Sequence, residues 1–159
     1  MVRQSLFNIL GQDMTGRKVL DLYAGTGGVG LEAVSRGASS CVLVDKGAEA
    51  AGLCRRNAER LAFTDRVEVL VMDVTEAVER LASRGLRFDL VFAGPPFSEK
   101  TETIGALCAA IARPGLLAPG GVFVLQLPSR GFEPPAAEDL LLVKDRSYGT
   151  NRLLFYEEA

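Results

Sequence analysis

At 159 residues the chain has the length of one domain, and 48% hydrophobic residues are enough to bury roughly two-thirds of the unfolded surface. A net charge of −2 excludes nucleic-acid binding by the surface as a whole, so any RNA contact must rest on a local basic patch. The lack of histidine excludes imidazole catalysis and histidine metal ligation, and three scattered cysteines, Cys41, Cys54 and Cys108, form neither a disulfide framework nor a metal site.

Val2, Leu6, Ile9 and Leu10 follow helical spacing and predict a short amphipathic helix within residues 1–10. A linker from Gly11 to Gly16 leads to a first buried strand, Val19 to Leu22. The helix after it ends near Arg36, with Gly37 placed to stop it. Cys41 to Asp45 is a second strand. The next helix presents Ala50, Leu53, Cys54, Asn57 and Leu61 on one face. Val67 to Val71 is a third strand, and Val74, Ala77, Val78 and Leu81 mark a third crossover helix. Phe88 to Phe92 is the fourth strand, followed by a stiff loop, Ala93-Gly94-Pro95-Pro96-Phe97. Ile104, Leu107, Cys108 and Ile111 define another helix, closed by Pro114 and Gly115. Gly120 and Gly121 precede a fifth strand, Val122 to Leu127.

Arg130 to Glu138 reads as a loop. Leu140 to Val143 and Arg152 to Tyr156 are two strands joined as a hairpin through Asp145-Arg146-Ser147-Tyr148-Gly149-Thr150. Alternating strands and helices imply a parallel sheet covered on both faces. The expected fold is therefore α/β and doubly wound, with a sheet core over residues 17–127 and a C-terminal hairpin over 139–157, all in one domain. No apolar run approaches the ~18 residues of a membrane span, and no signal-peptide pattern opens the sequence, so the cytoplasm is the expected compartment; a monomer is the expected state.

The stretch from Val19 to Ala33 runs strand, glycine turn, helix, with Gly25, Gly27 and Gly30 in G-x-G-x-x-G spacing. Nicotinamide and flavin enzymes share this spacing. Asp21 separates the readings, because a carboxylate just ahead of the turn would repel a pyrophosphate docked on the helix N-terminus. S-adenosylmethionine has no phosphate and carries a sulfonium and an ammonium, which suit a carboxylate. Asp45 ends the second strand, where an acid can accept from both ribose hydroxyls, or act as a strand-end charge or cap. Asp73 can meet the adenine amine, and with Glu76 it also forms a capping box. Ala24, Lys46 and Val74 flank these positions and join the candidate cofactor set.

Gly94, Pro95, Pro96 and Phe97 are the candidate catalytic residues. The prolines fix where the loop carbonyls point, and Phe97 offers a face on which a base can stack. The competing reading is a rigid turn with a core phenylalanine. Arg3, Arg130 and Arg146 are candidate RNA contacts, on loops or the N-terminal helix.

Several stretches carry a resemblance. Val2-Arg3-Gln4-Ser5-Leu6-Phe7-Asn8-Ile9-Leu10 is similar to the "VREALFNIL" opening of the RsmD-type 16S ribosomal RNA guanine-N2 methyltransferases. Leu20 to Gly27 resembles that family's "LDLFAGSG", Gly30 to Ala38 its "GLEALSRGA", and Tyr148-Gly149-Thr150 its "YG-x-T". The resemblance spans essentially the whole chain. It implies a Rossmann-like class I methyltransferase sheet of order 3-2-1-4-5-7-6 with strand 7 antiparallel. It also implies methyl transfer from S-adenosylmethionine to the N2 amine of a guanine in 16S rRNA of the assembling small subunit. Asp21, Gly25 and Gly27 would lie along the donor, Asp45 on its ribose and Asp73 on its adenine.

Two departures matter. The family's loop usually reads Asp-Pro-Pro-Tyr or Asp-Pro-Pro-Phe, and here Gly94 stands where the acid belongs, so slow turnover is the expectation. The family's basic segment ahead of the Val-Arg motif has no counterpart before Met1-Val2-Arg3, so a smaller RNA surface is expected. Two alternatives stay open: a non-catalytic S-adenosylmethionine-binding protein, and an amine methyltransferase acting on DNA or protein. A nicotinamide oxidoreductase is a more distant alternative.

Overall fold

A computed structural model describes residues 2–113 and 115–159 of the chain. The chain forms α1 (Val2–Leu10), β1 (Lys18–Leu22), α2 (Gly28–Ser35), β2 (Ser40–Asp45), α3 (Ala48–Arg60), β3 (Val67–Val71) and α4 (Val74–Ser83). β4 (Phe88–Ala93), α5 (Thr101–Ala112), β5 (Leu117–Pro128), β6 (Leu140–Tyr148) and β7 (Asn151–Glu158) complete it. The seven strands make one sheet of order β3-β2-β1-β4-β5-β7-β6, in which β7 is antiparallel to both neighbours. This is the order and the direction that the resemblance implies.

The pleat sends alternate residues to opposite faces. Leu20 and Leu22 of β1 pack with the buried faces of α4 and α5, while Val19 and Asp21 point toward α1, α2 and α3. Val74, Ala77, Val78 and Leu81 of α4 and Ile104, Leu107, Cys108 and Ile111 of α5 are all buried, as their helical spacing predicts. β1 and β4 are paired, yet α2 leaves β1 toward one face and α5 leaves β4 toward the other. That divergence opens a crevice at the carboxyl ends of the two strands. No helix among the described residues is long and apolar enough to cross a membrane.

Several boundaries differ from the sequence reading. β5 starts at Leu117 rather than Val122, because the Gly120-Gly121 pair lies inside the strand as a bulge. Phe88 pairs with Leu117 and Leu90 with Val122, leaving the intervening β5 residues looped out. A Cβ at Gly121 would stand 2.8 Å from two carbonyl oxygens, so only glycine fits. The hairpin join is likewise shorter than expected. Asp145 to Tyr148 belong to β6, and the turn is Gly149-Thr150, with Gly149 at φ 58°.

The charged run that reads as a loop is an exposed edge strand, held to β7 by the Arg152 guanidinium donating to Asp145 at 2.8 Å. Arg146 therefore sits on that edge strand and not on a loop. The buried face of α3 is Ala51, Cys54 and Ala58, and Leu61 lies past the helix end with 48% of its surface exposed. In α1 it is Leu6 and Phe7 that are fully buried, and the guanidinium of Arg36 lies over the Phe7 ring at 4.9 Å. Pro114, expected to close α5, lies outside the described residues, as does Met1.

α2 lies directly on β1 and β2 at Gly30. A Cβ there would stand 2.4 Å from Leu43 Cδ2 and 2.5 Å from Cys41 Sγ, both in the packed layer. Gly30→Ala is expected to destabilise the fold by about 1–3 kcal/mol through overpacking, read from urea unfolding. An unchanged midpoint would show that α2 lifts off the sheet freely.

Candidate active site

The glycine turn between β1 and α2 is tied down on every side. Gly25 and Gly27 have φ of 59° and 85°, values that a side chain rarely tolerates. The Gly25 N–H donates to Asp45 Oδ2 at 3.0 Å, and the Gly47 N–H donates to Asp45 Oδ1 at 2.9 Å. One carboxylate at the end of β2 thus holds both its own turn and the turn after β1. Each of its oxygens keeps a second lone pair for a ligand. From α3, the Cys54 thiol donates to the Gly25 carbonyl at 3.1 Å and the Asn57 amide to the Thr26 carbonyl at 3.0 Å. Ala24 is buried, and its N–H donates to the Val44 carbonyl at 2.9 Å.

Asp21 is 2% exposed and is the one charged residue type in the buried core of the described residues. Its carboxylate accepts one bond from protein, the Gly30 N–H at 3.0 Å. Burial pushes its pKa up to about 7; the Gly30 N–H pulls against that rise and the charge of Asp45 adds to it. A carboxylate held this way is short of positive charge, and it faces a cavity.

Two cavities meet at the strand ends. The first, about 450 Å³, is lined by Asp45, Lys46, Asp73, Val74, Pro96, Ser98 and Glu99. The second, about 420 Å³, is lined by Asp21, Ala24, Gly28, Phe92, Gln126 and residues of α1 including Arg3. Tyr23 and Gly94 line both and mark where they join. Asp73 accepts from the Thr75 and Glu76 N–H groups at 3.1 and 3.3 Å, so it caps α4 while it also lines the first cavity. Among the described residues, no group of three or more acids and cysteines is arranged to hold a metal.

Phe97 is 62% exposed, which excludes the core-phenylalanine reading and leaves its ring on the surface beside the first cavity. Pro95 is buried, whereas Pro96 is exposed. Arg3 leans over the start of α2, donating to the Gly28 carbonyl at 3.5 Å and lying 3.8 Å from Glu32. Arg130 is exposed in the bend that follows β5, and Arg146 is exposed on β6.

Tyr23, Glu99 and Gln126 were not singled out by sequence reasoning. Tyr23 has φ 59°, unusual for a bulky residue, and its hydroxyl donates to Glu99 Oε2 at 2.9 Å, joining the loops after β1 and β4. Its signal in the sequence was a tyrosine where the similar family motif has phenylalanine. For Glu99 and Gln126 no local pattern exists, since their partners are distant in the chain.

A family model described as Conserved hypothetical protein 95 matches residues 1–157. YlbH of Bacillus subtilis (strain 168), which carries a provisional rRNA methyltransferase name, is 31% identical over 157 residues, spanning 99% of this chain and 84% of that protein. Ribosomal RNA small subunit methyltransferase D of Escherichia coli (strain K12) is 33% identical over 108 residues, spanning 67% of this chain and 52% of that protein. The solved structure of yhhF from Escherichia coli, provisionally named a methyltransferase, shares the fold with a TM-score of 0.85 at 23% identity, over 99% of this chain and 83% of that one. The family model takes in all but the last two residues and so covers the glycine turn, the acids at the strand ends and both cavities. On that match the chain belongs to the RsmD-type methyltransferase family.

Proposed function

We propose that this chain transfers a methyl group from S-adenosylmethionine to the exocyclic N2 amine of a guanine in 16S rRNA of the assembling small ribosomal subunit. The observation that carries the reading is Asp21, a buried carboxylate with a single backbone donor, facing a cavity beside the glycine turn. A buried charge so poorly compensated is costly unless a ligand answers it. A cationic donor does so, whereas a dinucleotide would bring its pyrophosphate to the glycine turn beside Asp21. The names of the relatives YlbH and small subunit methyltransferase D support the ribosomal substrate.

When bound, S-adenosylmethionine supplies an electrophilic methyl on a sulfonium sulfur. The residues of the chain do the rest. Asp45 keeps Gly25 and Gly47 in place and offers its free lone pairs to the ribose, with Lys46 alongside. Asp73 and Val74 take the adenine end. Asp21, Ala24, Gly25 and Gly27 take the methionyl end. Gly94, Pro95 and Pro96 present fixed backbone carbonyls where the two cavities join, and Phe97 stacks the target base as it leaves its helix. Arg3, Arg130 and Arg146 contact RNA phosphates.

Methyl transfer from labelled donor onto small subunits lacking the modification tests the proposal. Nucleoside analysis is expected to give N2-methylguanosine. Label on large subunits alone, or on no RNA, would overturn it.

Two further outcomes are expected. Asp45→Ala is expected to weaken donor binding by roughly 1–3 kcal/mol in calorimetry, because the Gly25 and Gly47 N–H groups lose their acceptor. Unchanged affinity would remove Asp45 from the site. Asp21 has a folded pKa near 7, raised above the ordinary 3.8, so its contribution to stability is full below about 3.8 and lost as pH rises through about 7. Without ligand, the wild-type chain should lose Tm relative to Asp21→Asn between about pH 4 and about pH 7 and run parallel to it above that. Tm curves parallel throughout would show that Asp21 is not buried as a proton-holding acid.

A further inference from the structure

We propose that the side-chain carbonyl of Gln126 accepts a hydrogen bond from the exocyclic amine of the target base during methyl transfer. The inference rests on the amine-transfer reading above. Three side chains that line the second cavity carry an oxygen: Asp21, Tyr23 and Gln126. In that reading Asp21 is taken up by Gly30 and the methionyl end of the donor, and the Tyr23 hydroxyl is turned away to Glu99. Gln126 remains. Ala93 pairs with Leu125 in the parallel β4–β5 ladder, so the next residues, Gly94 and Gln126, lie abreast at the strand ends.

Gln126 Oε1 lies 3.7 Å from the point where a Cβ on Gly94 would stand. The amide end is fixed, because Nε2 donates to Asn151 Oδ1 at 3.0 Å. Asn151 opens β7, so the final hairpin determines which end of the glutamine faces Gly94. The room left by Gly94 is thus fronted by an oriented acceptor from the neighbouring strand.

An amine nitrogen conjugated to a ring is a weak nucleophile, and its hydrogens become more acidic as it reacts. Its lone pair forms the N–C bond as the C–S bond breaks, the sulfonium becomes a neutral thioether, and the surplus proton passes from nitrogen to water. Gln126 accepts one N–H through this change. As a neutral amide it keeps no proton. A preorganised partner at developing charge typically contributes about 10²–10³ in rate.

Single-turnover transfer to small subunits lacking the modification, at saturating donor, tests the assignment. Gln126→Met removes the acceptor at similar volume and is expected to slow transfer about 10²-fold, with donor affinity and Tm unchanged. Gln126→Glu restores an acceptor. It should recover most of the rate and add an acid limb to the pH profile in the ordinary carboxylate range. Gly94→Asp in the Gln126→Met background should also recover rate, since it returns an oxygen acceptor to the same space.

Equal rates for wild type and Gln126→Met would overturn the assignment and leave the methyltransferase reading standing. So would a loss of donor affinity or Tm that accounts for the slowing. Absence of transfer by the wild-type chain would overturn that reading and this one with it, and is seen before any substitution is made.

Discussion

The N–H of Gly30 reaches the Asp21 carboxylate at 3.0 Å because nothing but hydrogen occupies the Cα of residue 30 on the side facing β1 and β2. α2 can therefore settle onto the sheet against Leu43 and Cys41. That contact closes water off from Asp21 while leaving its other side toward a cavity. Sterics thus create the electrostatics. The same glycine that lets the helix approach also leaves a carboxylate buried with one backbone donor, and burial drives its pKa up to about 7.

The rest of the crevice follows from topology. Three neighbouring parallel strands, β1, β2 and β3, carry an acid within two residues of their carboxyl ends: Asp21, Asp45 and Asp73. Their carboxylates stand along the carboxyl edge of the sheet, where helix N-termini and turn N–H groups need acceptors. Asp45 meets that need for Gly25 and Gly47, and Asp73 meets it for α4. A row of acids in this place is compatible with a ligand that brings hydroxyls, an amine and a cation. Asp21, beside the glycine turn, disfavours a phosphate docked there. The Tyr23–Glu99 bond then links the loops after β1 and β4 at the joint between the two cavities.

Much of this was legible in the chain. Short apolar runs marked the strands, helical spacing marked the buried faces of α4 and α5, and the glycine spacing with Asp21 and Asp45 marked the candidate site. What escaped were features set by partners far along the chain. The β5 bulge depends on Phe88 and Ala118 crowding Gly121, so a glycine pair read as a strand boundary is in fact inside the strand. β6 carries a charged run that looks like a loop, because an edge strand needs no buried face and answers its charge across the ladder through Arg152. Gln126 looked like an ordinary strand residue, since its meaning comes from Gly94 on one side and Asn151 on the other.

In the proposed reading, a buried, proton-holding acid next to the glycine turn is answered by a cationic nucleoside. Calorimetry of S-adenosylmethionine binding near pH 7, repeated in buffers of different ionisation enthalpy, measures this directly. A positive ligand lowers the pKa of Asp21, so binding should release a fraction of a proton to the buffer, and Asp21→Asn should abolish that release. Binding without proton release, or tighter binding of NAD, would contradict the account.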